Sequence, residues 1–343
     1  MKIVRSSCSA YILKFKLPFS TSKGKISERK GFLIKLDSAN GKCGYGDCCP
    51  LPDFGSESYK QAEAKIKDLE LKIRIDTNDF EQSILKTLEP LSDFPSLRHG
   101  FEQALLNLIS RDQNISLNEI LNSSSKKTLN VNAAIGLLSS EDSASRAKEL
   151  VSKGYKTIKL KIGRGNFEED YACIKAVREN IGKKINLRLD ANGKWNLPNA
   201  ISSLSQLEKF GIEYVEQPVN NINDFLLLSK RTSIPLAADE SIRTLKDAYD
   251  FITQKAISII ILKPMMLGGI IPILKIIEYA QENGVMVVIT TSLDSVIGRS
   301  FAVLAASFVE NEFAHGLGTA EIFEKDLFAD PYPIKNGQIN LVS

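Results

Sequence analysis

The sequence predicts an α/β protein whose larger part is a (β/α) barrel, preceded by a smaller α+β region. Three observations carry that expectation. Eight short apolar runs alternate with segments of helical period between residues 129 and 314, a rhythm that suits βα units closed on themselves better than an open sheet. Charged residues end several of those runs, about one βα unit apart. The residues before 126 follow a different rhythm, first strand-like and then helical.

In the N-terminal part, Ile3 to Phe15 partly alternate, and Gly31 to Leu36 reads as a second strand. Between them Pro18 to Lys30 carries Ser, Thr, Gly and Lys with few large apolar groups, the composition of a mobile loop. Gly41 to Pro52, rich in Gly, Cys and Pro, reads as a tight irregular connection. From Glu57 to Leu108 the pattern is helical: Ala62, Ile66, Leu69 and Ile73 form one stripe, and Phe101, Ala104, Leu105 and Leu108 another. Ser116 to Lys127 reads as a boundary or surface loop.

The eight strand candidates are Leu129 to Ile135, Thr157 to Ile162, Ile185 to Leu189, Ile212 to Val215, Ile234 to Ala238, Ile257 to Leu262, Val285 to Ile289 and Glu312 to Ala314. Glu168 to Val177, Ala200 to Phe210 and Ile270 to Tyr279 have helical period, and the Ala-rich stretch from Val296 to Phe308 predicts a well-covered helix.

Composition narrows the function. The chain has 343 residues, 43% hydrophobic and 25% charged, as soluble globular proteins are. A net charge of +3 argues against nucleic acid or a membrane surface as partner, and Lys14, Lys16, Lys23, Lys25 and Lys30 read as solvated faces. Five cysteines without zinc-knuckle spacing and two histidines argue against structural zinc. Buried free thiols in a reducing compartment are the expectation. No apolar run near Met1 suits a signal peptide and none is long enough to span a bilayer, so a soluble cytoplasmic protein is expected.

The charged residues carry the chemistry. Lys159 and Lys161 stand at i and i+2 and so share one face of a strand. Asp190, Glu216, Asp239 and Lys263 each end a run, at intervals of 26, 23 and 24 residues. In a closed barrel the C-terminal strand ends converge on one mouth. Three converging carboxylates repel one another, and a hard dication such as Mg²⁺, which takes oxygen ligands, resolves the conflict. A lysine beside it can remove a proton from carbon next to a carboxylate, because the metal stabilises the enediolate that forms. A lone Asp or Glu after a strand is commonly a turn or helix cap. Five groups in register at successive strand ends are not explained that way.

The local sequences resemble those of the enolase superfamily. The resemblance rests on Lys159-Leu160-Lys161, Leu189-Asp190-Ala191-Asn192, Val215-Glu216-Gln217-Pro218, Ala238-Asp239-Glu240-Ser241 and Leu262-Lys263-Pro264, followed by Gly268-Gly269. It runs from Gly44 to Asp330 and is nearest to the muconate-lactonizing subgroup and, within it, the o-succinylbenzoate synthases of menaquinone biosynthesis. It implies a barrel of the enolase type over residues 126–315. A capping domain is expected over 1–125, with 316–343 packing back on it. By the same resemblance Asp190, Glu216 and Asp239 would bind Mg²⁺, or Mn²⁺ in its place. Lys161 would be the base and then the acid, Lys263 a stabilising charge on the opposite face, and Lys159 the support of Lys161. Asn192 and Glu240 would hold ligands and lysines in place.

The reaction so implied is dehydration of 2-succinyl-6-hydroxy-2,4-cyclohexadiene-1-carboxylate to 2-succinylbenzoate, a lyase reaction on a small-molecule carboxylate. Dipeptide epimerases and N-succinylamino acid racemases share the same lysines and carboxylates and are the alternative. The Ser96 to Glu102 segment and Thr291 to Ser295 resemble the synthases. His315-Gly316-Leu317-Gly318-Thr319 lacks the Asp-x-Asp pair with which many dipeptide epimerases hold a substrate ammonium. Asp47 and Asp294 stand where glutamate is usual. Position suggests Ser20, Gly268, Gly269, Ser292 and Gly316 as substrate contacts, and the glycine pair is expected to permit a close approach at the start of a helix and to offer N–H groups to the substrate carboxylate. The resemblance implies that the loop from Ser20 to Lys25 closes over the ligand. His315, His99 and Trp195 read as packing or hydrogen-bonding residues. No feature of the sequence assigns an oligomeric state.

Overall fold

Two sheets with different jobs organise the chain. The computed structural model describes all residues except 22–23, 70–72, 122–123, 320 and 342–343, together with all side chains but those of 19–21 in the rest. Strands β1 (Ile3–Thr21), β2 (Gly24–Ser38) and β3 (Cys43–Cys48) form an antiparallel sheet in that order. Helices α1 (Tyr59–Lys67), α2 (Phe80–Thr87), α3 (Pro95–Gln113) and α4 (Leu117–Ile120) follow.

Four expectations change here. Pro18 to Lys30 is not a loop: Phe19 pairs with Ile26, Ser20 with Lys25 and Thr21 with Gly24, so β1 and β2 continue as a hairpin. Backbone pairing holds these polar residues without an apolar face to announce it. Gly41 to Pro52 contains β3, whose glycines serve close packing. A Cβ on Gly46 would lie 1.8 Å from the Gly100 carbonyl oxygen, and one on Gly44 would lie 2.0 Å from that of Ala104. Helix α3 therefore sits directly on the strand's backbone. Helix α1 ends at Lys67, so Leu69 and Ile73 fall beyond it, and the Ser116 to Lys127 stretch contains α4, opened by a Ser116–Glu119 capping box.

The second part alternates strand and helix. β4 (Thr128–Asn130) and β5 (Ala133–Ile135) are followed by α5 (Ser140–Ser152), β6 (Thr157–Lys161), α6 (Phe167–Ile181), β7 (Asn186–Asp190) and α7 (Leu197–Leu207). Then come β8 (Ile212–Glu216), α8 (Ile222–Leu228), β9 (Leu236–Ala238), α9 (Leu245–Thr253), β10 (Ile259–Leu262), α10 (Ile270–Glu282), β11 (Met286–Ile289) and α11 (Val296–Ser307). Strands β5 to β11 form one parallel sheet in sequential order. The eighth run closes it by single parallel bridges, Thr290 with Gly316 and Val131 with His315, placed just beyond Glu312 to Ala314. This is a modified (β/α) barrel with a capping β-sheet subdomain before it.

Most barrel helices open on their own side-chain cap: Ser139, Asn166, Asn196, Asn221, Thr244 and Ser295 each accept a backbone N–H of the following turn. Helix α10 is the exception, with Gly269 at that position. Ten residues of α11 are buried, as its alanine content predicts. The C-terminal strand β12 (Ile334–Lys335) pairs with β13 (Gln338–Asn340), which pairs with β4, while Lys16 and Lys14 of β1 exchange backbone hydrogen bonds with Ile322 and Glu324. The five cysteines are free, and Cys48, Cys49 and Cys173 are buried. Among the described residues no helix is long and apolar enough to cross a membrane.

Gly46→Ala is expected to lower the unfolding free energy by about 3 kcal/mol, because neither the strand nor the α3 backbone can move aside. A urea titration followed by circular dichroism measures it, and an unchanged midpoint would refute the close-packing account.

Candidate active site at the barrel mouth

Alternation along the barrel strands decides what faces the interior. On β6, Ile158 and Leu160 are fully buried among the outer apolar groups, while Lys159 and Lys161 share the other face. The register pairs Lys161 with Asp190, Asp190 with Glu216, and Glu216 with Ala237, so the charged groups lie at one level. Asp239 follows β9 and Lys263 follows β10. In the strand order, β7, β8 and β9 with their carboxylates stand between β6 and β10, which puts Lys161 and Lys263 on opposite sides of the mouth.

The ammonium of Lys159 lies 2.6 Å from Glu216 Oε1 and 3.0 Å from Asp190 Oδ2. Lys263 is ion-paired with Asp239. Burial works against both ammonium charges, but the surrounding carboxylates outweigh it and hold both lysines above their ordinary range. Glu216 is held well above the usual carboxylate range by burial and by Asp190 and Asp239, against the pull of Lys159. Burial also opposes ionisation of Asp239, yet Lys263 and Lys159 bring it below its ordinary value. Lys161 is half-buried, and its ammonium makes no ion pair or hydrogen bond among the described residues.

This donor set fits a hard dication: three carboxylates from adjoining strand ends, one of which resists ionisation without more positive charge. Among the described residues no three acids are gathered into a ready metal cluster. The ammonium groups of Lys159 and Lys263 are instead bonded to oxygens that such a cation would take.

Around this layer, Asn192 donates from its backbone to Asp190 Oδ1 at 3.1 Å and from Nδ2 to Glu240 Oε1 at 2.9 Å. Burial pushes Glu240 up to about 7, and its Oε2 has no partner among the described residues. Gln217, to which the sequence reading assigned no role, uses its whole amide. Nε2 donates to the Val219 carbonyl and Ser241 Oγ, and Oε1 accepts from the backbones of Asp239 and Ser241. Phe54, from the capping region, was also missed; its ring centroid lies 5.4 Å from Lys263 Nζ. No pattern in the sequence marks either residue. Below the carboxylates, Arg188 stacks on Tyr214 and Phe313 and pairs with Glu213. His315 is buried, accepts the Ile289 N–H on Nδ1 and is pushed down to about 3 by burial, Arg188 and Lys126. Trp195 and His99 are buried as well.

The substrate contacts expected from position fare differently. The N–H groups beyond Gly268-Gly269 are not open to a substrate carboxylate: those of Ile270 and Ile271 are taken by Glu102 of α3, and that of Gly269 by the Pro264 carbonyl. Both backbone groups of Gly316 are engaged in closing the barrel, with Ile289 and with Thr290 and Thr291. Ser292 has a buried hydroxyl without a partner among the described residues. The side chain of Ser20 and residues 22–23 lie outside the described residues.

Asp47 and Asp294, the two shortened acids, meet at the seam between cap and barrel. Both would crowd a Cβ on Gly298, Asp47 Oδ2 at 2.9 Å and Asp294 Cβ at 2.6 Å. Asp47 accepts from Tyr11 and from the backbone and hydroxyl of Ser295. Burial and Asp47 push Asp294 up to about 7, and its Oδ1 has no partner among the described residues.

Comparison with known proteins agrees with this architecture. The enolase C-terminal domain-like family matches residues 142–343. The chain belongs to the enolase superfamily. The MenC N-terminal domain matches residues 7–108. The chain is 28% identical to Protein PHYLLO, chloroplastic, of Arabidopsis thaliana over 89% of its own length, but spans only 20% of that protein. It is 34% identical to the o-succinylbenzoate synthase of Thermobifida fusca over 60% of this chain and 64% of that one. A dipeptide epimerase from Enterococcus faecalis, solved with Mg and the dipeptide L-Leu-L-Tyr, superposes with a TM-score of 0.92 at 25% identity, covering 100% of this superfamily member and 98% of that chain.

Because the folded pKa of Asp294 lies above its unfolded value, its contribution to stability is present below about pH 4 and is lost as pH rises to about 7. Asp294→Asn should therefore gain stability relative to the parent as pH climbs through that window. Urea unfolding at pH 4.5 and 7.5 tests this, and a pH-independent difference would contradict it.

Proposed function

We propose that the protein is a divalent-metal-dependent enzyme in which Lys161 removes the proton next to a substrate carboxylate. The reaction we assign is that of an o-succinylbenzoate synthase. The observation that carries the chemistry is the placement of Lys161 and Lys263 across the mouth, with three strand-end carboxylates between them. Asp190, Glu216 and Asp239 would hold Mg²⁺, which when bound supplies positive charge against the substrate carboxylate.

The residues then divide the work. The amine of Lys161 takes the α-proton of 2-succinyl-6-hydroxy-2,4-cyclohexadiene-1-carboxylate, and the C–H electron pair moves into the carboxylate. That pair returns to the ring as the C6–O bond breaks. The Lys161 ammonium gives its proton to the departing hydroxide, so water leaves, the ring becomes aromatic and the amine is restored. Lys263, ion-paired with Asp239, supplies fixed positive charge on the far side. Lys159, held between Asp190 and Glu216, keeps positive charge beside Lys161. Phe54 covers Lys263 from the cap and narrows its access to water.

The match of the MenC N-terminal domain, the Thermobifida relative and the absence of an acidic side chain from Gly316 to Thr319 support the synthase assignment. A second reading, epimerase or racemase action on a dipeptide or N-succinylamino acid, has the wider support among relatives, including the full-length likeness to the Enterococcus epimerase. It would use both Lys161 and Lys263 as bases.

The deciding assay follows loss of the diene absorbance by purified protein with Mg²⁺ and with chelator. Turnover that requires metal and falls about 10³-fold or more in Lys161→Ala supports the synthase. No turnover, with deuterium entering the α-carbon of N-succinylamino acids or dipeptides, replaces it by the second reading. Glu216→Gln should also weaken Mg²⁺ binding in titration calorimetry by about tenfold or more; unchanged affinity would remove Glu216 from the ligand set.

A further inference from the structure

We infer that Glu102, on the capping region's helix α3, is a positioning residue for Lys263. It caps α10 from outside that helix and so fixes the turn from which the Lys263 ammonium is presented. The inference rests on the reading of Lys263 as an active-site lysine.

Helix α10 starts on Gly269 at φ +144, with no side-chain cap of its own, unlike the barrel helices that open on Ser, Asn or Thr. The first N–H groups of a helix need acceptors. Glu102 provides them: Oε1 accepts from Ile270 and, at 3.1 Å, from Ile271. The approach is possible only because Gly269 lacks a side chain, since a Cβ there would stand 2.2 Å from Glu102 Oε1. One turn earlier on α3, Arg98 Nη1 donates to the Gly268 carbonyl at 3.0 Å. Two side chains of one cap helix thus hold Gly268 and the two residues that follow Gly269.

The link to Lys263 is short and stiff. The Lys263 carbonyl accepts from Met266 at 3.0 Å and Leu267 at 3.1 Å, and the Pro264 carbonyl accepts from Gly269 at 2.9 Å. Met265 and Met266 are packed with Leu13 and Phe15 of β1. Displacing the glycine pair therefore moves the backbone of residue 263. Glu102 is completely buried, its Oε2 has no partner among the described residues, and burial pushes it up to about 7. A carboxyl group placed only to join two surfaces needs no such site.

The chain contains its own control. Glu57 also caps a helix from outside, accepting from Ser96 and Leu97 at the start of α3. Loss of Glu57 removes a comparable pair of hydrogen bonds, neither of them made to residues 263–269.

The test is competitive acetylation of the full-length metal-free protein with limiting acetic anhydride, read by mass spectrometry as the Lys263 to Lys159 labelling ratio. Glu102→Ala and Gly269→Ala should each raise that ratio about fivefold or more, as the turn opens more easily. Glu102→Gln, which keeps an oxygen acceptor in place, and Glu57→Ala should each change it by less than about twofold. An unchanged ratio in folded Glu102→Ala, or an equal rise in Glu57→Ala, overturns the inference. If Glu102→Ala does not fold, Arg98→Ala carries the test: a rise supports the inference and no change overturns it. The ratio needs no substrate, so absence of turnover by the parent protein would sink the synthase assignment and leave this result standing.

Discussion

Like-charge repulsion at the mouth is the constraint on which the rest of the structure depends. Asp190, Glu216 and Asp239 are nearly sealed from solvent on adjoining strand ends, where three negative charges cannot coexist without compensation. The barrel answers with Lys159 and Lys263 in direct ion pairs, and with a donor set suited to a dication. Strand register makes this arrangement possible. A slip of one residue on β6 would turn both lysines outward into the apolar layer between sheet and helices. The fully apolar outward faces of β6 and β7, with Ile158, Leu160, Leu187 and Leu189 at zero exposure, make that slip costly. Hydrophobic burial on one side of the sheet thus holds charge in place on the other.

The capping region is built into the same constraint. Arg29 donates to the Cys49, Pro50 and Leu293 carbonyls, so one buried guanidinium joins β2, the loop after β3 and the segment beyond β11. Asp47 reaches Ser295 at the start of α11. Phe54 reaches Lys263, and Glu102 reaches α10. Each of these polar groups would be expensive to bury alone, and each finds its partner across the seam. The cap contributes to the mouth through backbone and charge as well as by covering it.

The barrel and its carboxylates were legible because they obey local rules. Apolar runs of strand length ended in Asp190, Glu216 and Asp239, and a two-residue spacing put Lys159 and Lys161 on one face. What was not legible depends on distant partners. Strand β3 reads as a Gly- and Cys-rich connection until α3 is laid on Gly44 and Gly46. The β1–β2 hairpin carries little apolar signal beyond Lys16, and pairing alone reveals it. The glycine pair before α10 was expected to permit a close approach, and it does, but local sequence cannot show that the approaching group is Glu102, 168 residues away from Ile270. Gln217 looks like any polar residue after a strand, yet its amide ties the turns after β8 and β9 together.

That amide explains where the fold tolerates strain. Asn192 and Gln217 have φ of 45° and 41°, Leu293 has 59°, and the pair Gly268-Gly269 is also positive. All follow barrel strands at the mouth. For residues with a Cβ the left-handed region costs about 1–2 kcal/mol each. At Asn192 and Gln217 the side chains that incur this cost also offset it: Asn192 bonds Glu240, and Gln217 bonds the backbones of Asp239 and Ser241. The sharp turn lets each strand stop directly after its carboxylate, so Asp190 and Glu216 stand on rigid β-backbone. A relaxed turn at either position would lengthen the strand end and let the carboxylate swing. Asn192 and Gln217 therefore help keep the charged layer at one level, and the hydrogen bonds of both side chains run to the segment that follows β9.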